Sequence, residues 1–136
     1  MIAYLASDLL WGTKIKLTAE AAGISARPVR SREMFQARLN DSEVRGLVLD
    51  LDSPEVAMEL LDMVRSLHRP SGARNPLEKQ EESGAPAARR IRVAAFGPHV
   101  ETELLRKAGE LGADLVLTRG AMERSLERVL RELDAE

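Results

Sequence analysis

The chain contains no cysteine. Disulfides, thiol catalysis and thiolate zinc sites are therefore excluded. Aromatic residues make up only 3% of the sequence, too few for a surface on which nucleic-acid bases stack. The formal net charge of −2 exerts no strong pull toward nucleic acid or an acidic membrane. The two histidines, His68 and His99, cannot make a histidine-rich metal centre alone. The apolar start, "MIAYLASDLL", is too short to span a bilayer and lacks a basic flank, so it reads as a strand. Neither nucleic acid nor membrane is expected as a partner, and the cytoplasm is the expected location. What is present is ordinary for a globular protein: 136 residues, 44% hydrophobic and 31% charged, enough for one domain with a real core.

Strand and helix patterns alternate along the chain. "IAYLA" (2–6) reads as a buried strand. Behind it Ile15, Ala19 and Ala22 recur at helical spacing, with Ser7 or Asp8 as the cap and Gly23 as the stop. Trp11 is expected to pack over this helix rather than to hold a ligand. "ISARPV" (24–29) is a weak strand, and Pro28, which has no N–H, sends it to a sheet edge. Ser31 caps a short helix through Leu39, with Met34 and Phe35 inward. "GLVLD" (46–50) is a buried strand. "PEVAMELLDMVRSLH" (54–68) is an amphipathic helix: Ala57, Leu60, Leu61, Val64 and Leu67 share a face, and Pro54 suits the first turn.

Residues 69–90 hold three of the six prolines, almost no large apolar residues and mixed charge. They cannot bury enough to offset their ordering entropy and are expected to form a flexible insertion. "IRVAAF" (91–96) is the fourth strand. Gly97-Pro98 opens a helix with Val100, Leu104, Ala108 and Leu111 inward, stopped by Gly112. "DLVLT" (114–118) is the fifth strand. In the last helix, 122–133, Met122, Leu126, Val129, Leu130 and Leu133 share a face. Such alternation predicts a single α/β domain over 1–136, a parallel sheet covered by helices on both faces. In such folds the working site lies beyond the C-terminal ends of the strands. Ser7 and Asp8, Asp50 and Asp52, Gly97 and His99, and Thr118 and Arg119 fall there.

The most informative stretch is "LVLDLDSP" (47–54). An apolar run ends in Asp50, a second acid follows at Asp52, and Pro54 closes the phrase. Outside 69–90 the chain resembles the receiver domain of two-component response regulators. "DLDSP" keeps that family's Asp-x-x-x-Pro spacing, and "ELGAD" and "LVLTRG" sit where it has a Gly-Ala turn and a fifth strand. The resemblance implies a doubly wound, flavodoxin-like sheet of five strands in the order 2-1-3-4-5. It also implies an aspartate that accepts a phosphoryl group from a histidine kinase with Mg²⁺. The phosphoacceptor position falls on Asp50. The metal-binding acid pair falls near Ser7-Asp8 and keeps one acid, so Asp8 and Asp50 are the candidate Mg²⁺ ligands. The family's Ser/Thr after strand four falls on Gly97, so its hydroxyl is missing. Its lysine after strand five falls on Arg119, a planar fork in place of a compact ammonium, and the following proline is Gly120. A second resemblance, to haloacid dehalogenase-type phosphatases, rests on the Asp-x-Asp of "DLDSPE". It has Pro54 where a Thr or Val is expected and no downstream acid pair.

These departures lead to the expectation of a degenerate receiver, a pseudo-receiver: a signalling or protein-interaction module rather than an enzyme, with no cofactor unless Mg²⁺. A protein partner or a second copy would dock through about 99–133. The alternative is a receiver in which Asp50 accepts phosphate with Mg²⁺. A third reading is a small-anion or nucleotide sensor in which Gly97, His99 and Arg119 contact the ligand. The plain readings stand beside these. Asp50 is a retained acid bonded to loop amides or paired with Arg119, and Asp52 is a solvated loop acid. Ser7 and Asp8 are helix caps. His99 is an exposed, neutral residue in the first turn of its helix. His68 lies at a helix C-terminus, where a cation is welcome. Asp50→Asn is expected to keep the fold and to relieve repulsion with Asp8 and Asp52.

Overall fold

The structure, a computed structural model, describes residues 1–68 and 90–135. The insertion expected over 69–90 lies outside the described residues except for Arg90. Strand β1 (Ile2–Leu5) is buried along its whole length and leads into α1 (Leu9–Ala21). Asp8 caps this helix, its Oδ1 accepting from the Trp11 amide at 2.8 Å. The edge strand β2 (Ala26–Pro28) and α2 (Arg32–Asp41) follow, with Ser31 as the cap of α2. Strand β3 (Gly46–Asp50) is wholly buried and passes into α3 (Pro54–His68). After β4 (Arg92–Gly97) come α4 (Thr102–Glu110), β5 (Leu115–Thr118) and α5 (Arg119–Asp134).

All pairings are parallel and the strand order is 2-1-3-4-5, as expected. Strand alternation divides the core into two layers. Ala3, Leu5, Leu47, Leu49, Val93 and Ala95 face α2, α3 and α4. Ile2, Tyr4, Val48, Ala94 and Phe96 face α1 and α5. Trp11 is buried in the second layer, its ring 4.6 Å from that of Phe96. Pro28 stands at the sheet edge. The Val29 amide bonds Tyr4 O at 2.9 Å, so by alternation the Pro28 nitrogen faces outward and costs no ladder bond.

Three expectations fail in detail. The helix after β4 starts at Thr102, not at Pro98, because residues 98–101 close a separate turn through Glu101 N to Pro98 O. Val100 is consequently exposed rather than inward, and His99 lies in that turn rather than in a helix. Leu67, assigned to the buried face of α3, is about half exposed at the helix end. The last helix begins three residues earlier than its apolar pattern, at Arg119, with Thr118 as both strand end and cap. A break at Ser125 (φ −119°, ψ 15°) interrupts it.

Candidate functional site

Among the described residues Asp50 is the one fully buried polar or charged side chain, with no exposed surface. Register explains its surroundings. Leu5 pairs with Leu49, which brings Ser7 past the end of β1 to the side of Asp50. There the Ser7 amide donates to Asp50 Oδ2 at 2.9 Å and the Ser7 hydroxyl donates to the same oxygen at 2.6 Å. Asp50 Oδ1 accepts from the Asp52 amide at 3.0 Å. A buried carboxylate needs donors and a countercharge, and the countercharge comes from β5. Gly97 pairs with Thr118, so the next residue, Arg119, arrives over the acids. Its guanidinium donates to Asp52 Oδ2 and lies 3.7 Å from Asp50 Oδ1. The hydrogen bond to Asp52 raises the Arg119 pKa above its ordinary value, with the charges of Asp52, Asp50 and Asp8 adding to it and desolvation opposing.

Gly97 ends β4 beside this network. A Cβ there would stand 3.2 Å from the Leu51 Cβ, so a hydroxyl-bearing residue would need Leu51 to give by a few tenths of an ångström. His99 is exposed. Asp8 turns its carboxylate to the N-terminus of α1.

Mg²⁺ asks for near-octahedral oxygen ligands, usually including one or two carboxylates. The arrangement does not fit it. Asp8 is engaged by its own helix, Asp50 receives hydrogens at both oxygens, and Asp52 holds a guanidinium. No group of three or more His, Asp or Glu placed to hold a metal ion occurs among the described residues. An arginine thus stands on the two acids at the strand ends.

Sequence reasoning brought Asp50, Asp52 and Arg119 to one edge, but it read Asp52 as a solvated loop acid. It missed Ser7 as the main partner of Asp50, because a serine before a helix reads first as a cap. The usable signal was topological: in the order 2-1-3, the residue past the end of β1 neighbours the last residue of β3.

No family model and no curated protein matches the sequence. The fold, however, has close counterparts among solved structures. A response regulator from Thermotoga maritima superposes with a TM-score of 0.67 at 12% identity, over 97% of this chain and 94% of that one. The receiver domain of NtrX from Brucella abortus gives 0.64 at 16% identity, over 96% and 98%. The receiver domain of Ssk1 from Saccharomyces cerevisiae, crystallised with the histidine phosphotransfer signaling protein Ypd1, gives 0.70 at 15% identity, over 97% and 86%. The architecture is therefore that of the response-regulator receiver domains. At these identities the likeness is one of fold.

Proposed function

We propose that the chain is a signalling module of receiver fold that works by binding a protein partner, is not an enzyme, and is not efficiently phosphorylated at Asp50. The observation that carries this reading is the closed circuit Ser7–Asp50–Asp52–Arg119. Phosphoryl transfer to a carboxylate depends on positioning and on neutralising charge at the transferred group. Here one carboxylate oxygen is held by Ser7 and the other by the Asp52 amide, while the Arg119 cation is engaged by Asp52. Gly97 offers no hydroxyl. An anion held by Gly97, His99 and Arg119 would have to draw that guanidinium away from two carboxylates. The expected docking surface is the α4–β5–α5 side. Val100 and Val116 are exposed there, at 71% and 37%. The Ssk1 receiver domain, of the same fold, is seen with a protein partner.

The experiment is intact-mass spectrometry after incubation with acetyl phosphate and Mg²⁺. The wild type is expected to keep its mass, as is Asp50→Asn. A stoichiometric gain of one phosphoryl group in the wild type and not in Asp50→Asn would overturn the reading and establish Asp50 as a phosphoacceptor.

A further inference from the structure

A cleft wraps over the β2 edge of the sheet, from α1 on one face to Arg38 of α2 on the other. It consists of two adjoining cavities of about 480 and about 500 Å³ that share Tyr4, Lys16 and Pro28. The first also takes in Arg30, and the second Arg27 and Arg38. Neither an ion pair nor a side-chain hydrogen bond engages Lys16, Arg27, Arg30 or Arg38 among the described residues; the same holds of Arg32, Arg65, Lys107, Arg124 and Arg128, but the first four line one cleft. Nε of Arg38 is buried without a partner, one of two such side-chain atoms among the described residues. Leaving a buried donor unpaired is unfavourable, as is crowding like charges. Two carboxylates also line the cleft, Asp8 and Glu20, and Asp8 is occupied with capping α1. Cations therefore exceed acids there by two.

We propose that this cleft binds a small phosphorylated anion carrying two or more negative charges, such as inorganic pyrophosphate or a nucleoside diphosphate. Guanidinium forks match phosphoryl oxygens two at a time. The volume lies in the range of small-ligand sites. Burial raises the pKa of Tyr4, with Glu20 adding and Arg30 opposing, and this residue lines both cavities with its phenol protonated. A peptide adding as a strand is disfavoured, because Pro28 presents no N–H along the outer edge of β2. The lining holds no aromatic ring besides Tyr4, so the phosphoryl groups supply most of the recognition. Ser7, which bonds Asp50, lines one end of the first cavity, and the basic residues lie away from that circuit along the β2 edge.

The test is calorimetric titration of the full chain with sodium pyrophosphate, ADP and orthophosphate at low and physiological ionic strength. Saturable binding of pyrophosphate and ADP is expected, tighter than orthophosphate and weakened by salt. Arg30→Gln and Arg38→Gln should each weaken it about tenfold or more. Lys16→Gln, at an exposed position, should weaken it in the same direction and guards against a folding defect in the arginine variants, whose melting temperatures are measured alongside. Arg106→Gln, on α4, should change nothing. Tighter binding of ADP than of pyrophosphate would place the nucleoside in the cleft as well, and equal binding would restrict recognition to the phosphates; both support the site. Absence of saturable binding, equal weakening by Arg106→Gln, or tighter binding of an acidic peptide or an oligonucleotide would overturn it.

Discussion

Asn in place of Asp50 turns one acceptor oxygen into a donor at a point where donors already converge. Ser7 N and Oγ approach one oxygen and the Asp52 amide the other, so either orientation of an amide sets two hydrogens against each other. The sequence suggests relief from acid–acid repulsion, but the neighbours that matter are an arginine and backbone N–H groups. Asp50→Asn is therefore expected to lose about 1–3 kcal/mol of stability while keeping the fold. Ser7→Ala, which removes one of the three bonds, should lose stability within the same range, about 1–3 kcal/mol. Urea unfolding of both variants checks this, and a gain in stability for Asp50→Asn would contradict it. Asp50 itself was legible because an apolar strand that ends in an acid and a proline is unusual. Ser7 was not, because capping and pairing place the same residue type at the same position.

Helix α3 and strand β4 are joined by a bond that local sequence does not announce. His68 Nε2 accepts from the Ile91 amide at 3.0 Å, so the imidazole at the end of α3 must be neutral on that nitrogen. Desolvation lowers its pKa, nearby Arg90 lowers it further, and Asp114, paired with Arg90, works against them. This reverses the sequence expectation of a cation welcomed by the helix terminus. The partner that decides the matter is 23 residues away. The folded pKa lies below the ordinary 6.5, so the unfolded state binds the proton first as pH falls. The His68 contribution is therefore complete above about pH 6.5 and is lost as pH falls through the lowered value. Melting temperatures measured from about pH 5 to about pH 8 should rise with pH over the lower part of that range. His68→Leu should flatten the rise and His99→Gln should not; an unchanged slope in His68→Leu would refute the assignment. Periodicity identified nine of the ten elements among the described residues within a few residues of their bounds, since most bury an apolar face, and the exposed β2 was marked by Pro28. It failed at the start of α4, where Gly97-Pro98 mimics a helix opening and residues 98–101 instead close a turn.

The two faces of the sheet are closed by contacts of different tightness. Gly46, at the start of β3, lies under the end of α5, and a Cβ there would fall 2.6 Å from the Leu133 Cβ and 3.1 Å from its carbonyl oxygen. Gly46→Ala must push helix and sheet apart and is expected to destabilise by about 1–3 kcal/mol. Gly109, inside α4, has room for a methyl group 3.6 Å from Val116, so Gly109→Ala should stabilise by about 0.5–1 kcal/mol. Chemical denaturation of the pair tests both signs at once. The 2-1-3-4-5 order followed from alternation and from the resemblance, but no pattern of residue types distinguishes a glycine needed for close approach from one that is not. The same sheet carries a further constraint where β5 ends. Thr118 is the last strand residue and also the helix cap, and Arg119 follows without a linker. One residue inserted or deleted at this junction would rotate α5 by about 100° about its axis. Either change would swing the guanidinium off the acids and Met122 and Leu126 off the core, so this junction admits substitutions but no change of length.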